Sequence, residues 1–174
     1  MNPIVLRGHF DHFEDERGYT NPNNIQELYS TFGLQEFNFE YQLLSSNTSS
    51  NVFRGFHFQK QPHHQVKILL IHHGSIQDII FPIDPLKNKK LEMYELNAGD
   101  ALLIPADYAH GYITKTEGVV LQYLMDKPYN AANYTGFYAK DLLKYFLQNQ
   151  ELVISEKDLL LPKLPGELIS KLVE

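Results

Sequence analysis

NVFRGFHFQKQPHHQVK, Asn51 to Lys67, is the stretch on which the reading of this chain turns, together with its echo GDALLIPADYAHGYI, Gly99 to Ile113. The first segment sets Arg54, His57, Gln59 and Lys67 among apolar and aromatic neighbours. His57 and Gln59 lie two apart, so on a strand they face the same way. Arg54 is at odd spacing from His57 and a regular strand turns it to the other face. Gly55 offers a bulge or a close backbone approach that re-aims it. The echo places His110 after a Gly–Asp turn, an apolar run and a proline. Cations, imidazoles and amides projecting from strands into one cavity make a site for an anionic, hydroxyl-rich ligand. A single strand histidine is more often a satisfied core or surface residue, and the chain has eight. The weight therefore rests on several polar groups converging in one apolar setting. His72 and His73, next to the turn at Gly74, read as solvated.

The rest of the composition narrows the classes. A chain of 174 residues with 43% hydrophobic content suggests one domain, 1–174, with a real core. A net charge of −6 argues against a broad nucleic-acid surface, leaving room for a local basic pocket for one phosphate group. The absence of cysteine excludes disulfides and thiolate chemistry. No apolar run reaches the length of a membrane span, and the first residues carry acids too early for a signal peptide, so a cytoplasmic protein is expected. With 11 Tyr and 11 Phe, some rings are available to line a pocket.

Along the chain, Ile4 to Leu6 reads as a short strand, followed by a polar turn at EDERG, where Arg17–Gly18 marks a bend. Asn24 to Phe32 reads as a helix capped by Asn23 or Asn24 and stopped by Gly33. FNFEYQLL, Phe37 to Leu44, alternates Phe37, Phe39 and Tyr41 on one face and predicts a strand, with SSNTSSN as a loop. From Val52 onward the pattern is all strand. Val66 runs to the turn at Gly74, and SIQDIIFPID follows with Asp78 on an apolar face, where an acid is either paired or functional. Lys89 to Leu96 is a strand, and Asn97 to Asp100 a hairpin-like turn. Tyr112–Thr114 and Val119–Met125 form a further pair around Glu117–Gly118. Short strands with regular Gly/Asn/Pro turns mean an all-β sandwich or barrel. Helical spacing returns at Asp141–Gln150 and Gly166–Val173, with extended Leu159–Pro162 between.

RGFHFQ, then Lys67, then GDALLIPADYAHGY resembles the cupin-fold sugar-nucleotide 3,5-epimerases typified by dTDP-4-dehydrorhamnose 3,5-epimerase, whose usual form is RGLHxQ, a lysine some ten residues on, and P-x-x-x-AHGF. DERGY, Asp15 to Tyr19, is similar to the family's DxRG[FY], and ISEKDLLLPKL, Ile154 to Leu164, to its LSxKDxxxPxL. The five segments occur in the family's order and cover most of the chain. The resemblance implies a cupin jelly-roll barrel with short helices at the N-terminal side and in the tail. It implies a homodimer with exchanged N-terminal arms, a cofactor-free site, and a nucleotide-diphosphate keto-deoxysugar as substrate, without nucleic-acid or membrane partners. His57 resembles the catalytic base, Asp158 its paired carboxylate, Lys67 the enolate-stabilising residue, and Tyr123 the acid on the opposite face of the sugar. Arg54, Gln59, His110, Gln42 and Asp78 match pocket positions. Tyr129, behind Pro128 where the family has an aromatic pair, is placed with them. Arg17 resembles the residue that reaches a diphosphate, in the neighbouring subunit.

The chemistry suits those residue types. Epimerisation beside a ketone removes an α-proton and returns one to the other face. A histidine is a fitting base because its pKa lies near operating pH. A carboxylate behind it fixes the tautomer, and a lysine ammonium stabilises the enolate oxygen. Taken alone, Tyr123 reads equally as core packing and Asp158 as a helix-cap acid. A metal cupin is the rival reading. Gln59 and Lys67 stand where His and Glu ligands belong, and an ammonium repels a cation, so no metal is assigned. The departures fall on the nucleotide side: Gln42-Leu43-Leu44 replaces QDN, Asn21-Pro22 replaces Glu/Ser on the arm, Thr20 stands near the site of a flanking aromatic, and GFYAKD lacks a tryptophan. The expectation is an isomerase acting at carbon 3, and at carbon 5 as well, of an NDP-4-keto-6-deoxyhexose for surface-polysaccharide deoxysugar synthesis, with dTDP, CDP or GDP as carrier. A 3-only epimerase, a 3,4-ketoisomerase and a non-catalytic sugar-binding cupin stay open.

Overall fold

The computed structural model describes every residue except 85, 88, 148, 149 and 174. The strands are β1 (Ile4–Leu6), β2 (Phe13–Asp15), β3 (Gly18–Thr20), β4 (Tyr41–Asn47), β5 (Phe53–Gln59), β6 (Lys67–His73), β7 (Ser75–Pro82), β8 (Glu92–Asn97), β9 (Ala101–Ile104), β10 (Tyr108–Thr114), β11 (Val119–Met125) and β12 (Tyr134–Gly136). The helices are short: α1 (Ile25–Thr31), α2 (Lys140–Leu143), α3 (Glu156–Leu159) and α4 (Gly166–Val173). Two five-stranded antiparallel sheets face one another, ordered β1-β9-β6-β11-β4 and β12-β5-β10-β7-β8, while β2 and β3 form a separate hairpin. This is the expected jelly roll. Among the described residues no helix is long and apolar enough to cross a membrane.

The turns work differently from the sequence reading. Gly74, the Asn97–Asp100 turn and the Glu117–Gly118 turn are corners at which the chain passes from one sheet to the other. Val119–Met125 therefore does not pair with Tyr112–Thr114. It pairs with β4 and β6, while β10 pairs with β5 and β7. Crossing at each corner lets the two sheets share one interior. That interior is filled by Leu69, Ile71, Ile76, Ile80, Leu102, Leu121 and the rings of Tyr108, Tyr112 and Tyr123.

Two further clusters coat the outer faces. Leu28 of α1 and Phe32, just beyond its end, cover the first sheet together with Phe39. Here the structure corrects the strand expected from Phe37. Phe39 stacks on Tyr29 of α1 at 5.0 Å, and strand pairing begins only at Tyr41. The strand also runs on through Ser45, Ser46 and Asn47, read as loop, because those residues find ladder partners in Leu121, Val120 and Val119. The α1 helix is capped by Asn24, whose side chain accepts from the Glu27 amide. On the second sheet, Phe53, Phe56 and Phe81 pack edge to face under Leu142 and Leu143 of α2 and Leu168 and Leu172 of α4. Burying each such ring contributes roughly 1.5–3 kcal/mol. The helical spacing at Asp141–Gln150 yields only α2 and a turn beyond it, with residues 148 and 149 outside the described residues. The α4 helix matches its expectation, Gly166–Val173.

Candidate active site

The site is built on β5. Phe53, Phe56 and Phe58 are buried in the outer cluster, yet Arg54 and His57 both line the interior cavity. Three residues apart, they share a face because the strand is irregular at Gly55. The register with β10 slips there, with Arg54 opposite Tyr112 and His57 opposite His110. Gly55 has φ +144°, and a Cβ on it would sit 2.4 Å from Gly111 Cα. The bulge and the close approach offered as alternatives by the sequence are thus both present, and only glycine permits them.

The cavity they enter holds about 360 Å³. His57 Nε2 lies 2.7 Å from Asp158 Oδ1, and their side chains are 22% and 10% exposed, so the pair is screened but reachable. Asp158 is no surface cap acid. Its backbone N–H donates to Ser155 Oγ, the cap of α3, and α3 carries its carboxylate inward to β5. From the facing sheet come Lys67 on β6 and Tyr123 on β11. Burial pulls the Lys67 ammonium down to about 8, against the attraction of Asp78. Burial likewise pushes the Tyr123 hydroxyl well above its ordinary value, so it holds its proton at neutral pH. His110 meets the Tyr123 ring edge to face at 5.6 Å. Its Nδ1 lies 3.1 Å from Asp78 Oδ2, and burial lowers its pKa in spite of that acid.

Four of the sequence-derived positions are placed elsewhere. Gln59 is buried with its amide spent on loop closure, donating to the His63 and Pro128 carbonyls and accepting from the Asn130 N–H. Gln42 pairs across the strands with Leu124 and accepts from Gln122 on the outer face of the sheet. Leu43 and Ser45, of opposite parity, line the cavity instead. Asp78 stands behind the wall as the partner of His110 and is fully buried. Arg17 is spent on Asp15 of its own hairpin, 2.5 Å away, and is largely exposed outside the cavity. Tyr129 does line the cavity, packed on Tyr134 at 5.2 Å.

Tyr134 itself was missed. It reaches the site because β12 pairs with β5, and its ring lies 5.4 Å from that of His57. Burial and the Asp158 carboxylate push its hydroxyl up to about 12. Tyr112 was also missed; its hydroxyl meets Ser45 at 3.1 Å and Asn47. Asn47 in turn accepts from Arg54 Nε at 2.8 Å, which fixes the guanidinium at the cavity rim.

The comparisons with known proteins point the same way as the geometry. The dTDP-4-dehydrorhamnose 3,5-epimerase of Escherichia coli (strain K12) is 29% identical over 119 residues, 65% of this chain and 64% of that protein. The enzyme of that name from Sinorhizobium fredii (strain NBRC 101917 / NGR234) is 32% identical over 88 residues, 48% of this chain and 45% of that one. Those alignments thus span less than two thirds of either relative. The crystal structure of dTDP-4-dehydrorhamnose 3,5-epimerase from Bacillus anthracis str. Ames, with TDP and PPi bound, superposes with a TM-score of 0.78 at 27% identity, covering 94% of both chains. The sequence model of the family described as dTDP-4-dehydrorhamnose 3,5-epimerase matches residues 4–165, which take in the cavity, both sheets and α3. The chain belongs to the dTDP-4-dehydrorhamnose 3,5-epimerase family.

Proposed function

We propose that the chain epimerises a nucleoside-diphosphate-linked 4-keto-6-deoxyhexose at carbon 3 and carbon 5. The observation that carries this reading is the placement of the two proton-handling groups. The His57–Asp158 pair belongs to the second sheet and the helix beside it, whereas Tyr123 and Lys67 come from the first. A sugar ring held between the sheets has a base on one side and a protonated phenol on the other.

His57 removes the proton from the carbon next to the ketone, and Asp158 holds the imidazolium that forms. The C–H electrons move to the carbonyl oxygen, giving an enolate. The Lys67 ammonium stabilises that charge in a cavity where water no longer screens it. Tyr123 then donates its proton to the opposite face of the same carbon as the ketone re-forms, and proton exchange with water returns the phenolate to phenol and the imidazolium to imidazole before the next round. Tyr134 is the less suitable donor, since its ring lies beside His57, on the base's side. Arg54 at the rim supplies a cation for the diphosphate. In a homodimer with exchanged arms, the partner's Arg17 would add a second. A thymidine carrier is favoured by the TDP bound in the Bacillus anthracis relative. Such a reaction belongs in the cytoplasm, in deoxysugar synthesis for surface polysaccharide.

The test is proton NMR in D₂O with dTDP-4-keto-6-deoxyglucose. Deuterium entering at carbons 3 and 5 is the expected result. Entry at carbon 3 alone would reduce the reading to a mono-epimerase. Tight binding of dTDP-, CDP- and GDP-linked sugars with no exchange would replace it with a sugar-binding protein.

A further inference from the structure

A second group of ligating side chains lies outside the cavity, where the β2–β3 hairpin rests on the end of β6. His12 and Glu14 are two apart, and Tyr19 is the cross-strand partner of Glu14, so one face of the hairpin carries all three. That face covers His73. The Tyr19 ring stacks on His73 at 4.8 Å and 7°, and the His12 ring centroid is 5.9 Å away. One ligand atom from each of His12, Glu14 and His73 lies within 4.8 Å of the others.

The hydrogen bonds of Asn21 determine which His12 nitrogen is free. Asn21 Nδ2 donates to the His72 carbonyl at 2.7 Å, which fixes the amide's orientation. Its oxygen is left to accept from His12 Nδ1, also at 2.7 Å. His12 Nδ1 therefore carries the proton, and in the neutral ring Nε2 presents a lone pair. That lone pair faces Glu14 Oε2 at 3.4 Å. Two acceptors at this separation repel unless a proton on Nε2 or a metal ion sits between them. Ligand atoms bound tetrahedrally to one ion at about 2.0–2.1 Å are about 3.4 Å apart, the separation seen here. His73 adds a third ligand, and its Nδ1 is buried without a hydrogen-bond partner among the described residues. A ligating histidine whose other nitrogen is held by an amide oxygen is the usual arrangement around a bound metal.

We propose that His12, Glu14 and His73 form a divalent transition-metal site suited to Zn²⁺. Two imidazoles and a carboxylate are its preferred donors when thiolates are absent, and the exposed side of Glu14, 57% accessible, leaves a fourth position for water. None of the three residues lines the cavity, so the ion takes no part in the epimerase chemistry. It clips the hairpin, with Arg17 at its tip, to the first sheet.

The experiment uses untagged full-length protein, stripped of metal and titrated with Co²⁺ at neutral pH. The expected result is a saturable one-to-one visible absorption band, abolished by competing Zn²⁺, and a higher Tm with either ion. His73→Ala and Glu14→Gln should each weaken Co²⁺ binding by at least about tenfold, and Asn21→Ala by about tenfold through loss of ring orientation. His63→Ala, in a separate loop, should leave it unchanged. Circular dichroism separates lost ligands from a lost fold. No saturable band, or a band that survives both His73→Ala and Glu14→Gln in folded protein, would overturn the site and leave an imidazolium–carboxylate pair in its place.

Discussion

The barrel holds two histidine–aspartate pairs whose histidines are cross-strand neighbours, and they are built in opposite ways. His57 and Asp158 meet at 2.7 Å with 22% and 10% of their side chains exposed. His110 and Asp78 meet at 3.1 Å with 5% and 0% exposed. The first carboxylate arrives on a short tail helix added to the barrel, while the second is embedded in β7. Both groups of the first pair line the cavity. In the second only His110 does, and burial lowers its pKa despite its acid neighbour. Asp78 has one oxygen on His110 and the other without a hydrogen-bond partner among the described residues, and it attracts Lys67. It stands behind the wall, and its attraction opposes the fall that burial imposes on the Lys67 pKa.

This contrast separates what turnover and stability should report. The largest expected effect is on the accessible pair. His57→Ala should lower turnover by about 10³-fold or more, within the range general acid–base catalysis supplies. Its Tm should stay within a few degrees, because the ring is not core packing. Steady-state rates beside thermal melts check this, and a variant retaining most of its activity would remove His57 from the base role. Lys67→Met should lower kcat by about 10²–10³-fold, the usual loss on removing one oxyanion-stabilising group. A loss confined to KM would instead make Lys67 a binding residue.

The embedded pair should answer mainly in stability. Asp78→Ala leaves His110 buried without its partner and removes the attraction on Lys67. Leaving the buried His110 N–H without its acceptor costs about 1–3 kcal/mol, or roughly 2–12 °C in Tm for a chain of this size. Asp158→Ala, near the cavity, should shift Tm far less while slowing turnover more. Equal Tm losses for the two variants would erase the distinction between the pairs.

How much of this was legible depended on whether a residue's role is local or set by register. His57, Lys67, His110 and Tyr123 could be singled out because the resemblance rests on short motifs in a fixed order, which are local facts. Gln42 could not, since a one-residue change in register reverses a strand's faces, and only pairing with Tyr123 shows that Leu43 points inward. Gln59 has the parity of His57, but no local signal announces that three loop groups consume its amide. Tyr134 is brought in by pairing between β12 and β5, some 75 residues apart. The corners at Asn97–Asp100 and Glu117–Gly118 read as hairpins because the same glycine turn serves either connection. His72 was read as solvated, yet it is bridged between Asn21 and Gln122, contacts from distant parts of the chain.

The subtlest expectation concerns pH and sets activity against stability at one residue. Lys67 titrates near 8 in the folded protein, against its ordinary 10.5. Its ammonium is the form that stabilises the enolate, so the alkaline limb of kcat/KM should fall as pH rises through about 8. Stability moves the other way. Between the two values the unfolded chain binds the extra proton, so unfolding free energy rises with pH across that window. The contribution is complete above 10.5 and lost as pH falls through about 8. Because Lys67 is only half-buried, the full change is at most about 3 kcal/mol. Other groups titrate at alkaline pH, so the difference between the unmodified protein and Lys67→Met isolates this one. Lys67→Met should be the more stable of the two at pH 7, with the gap closing toward pH 10.5. Lys67→Arg keeps a charge that does not titrate in this range, so its alkaline limb should move upward even with a lower rate. A limb near 8 that persists unchanged in Lys67→Arg would assign the titration to another group.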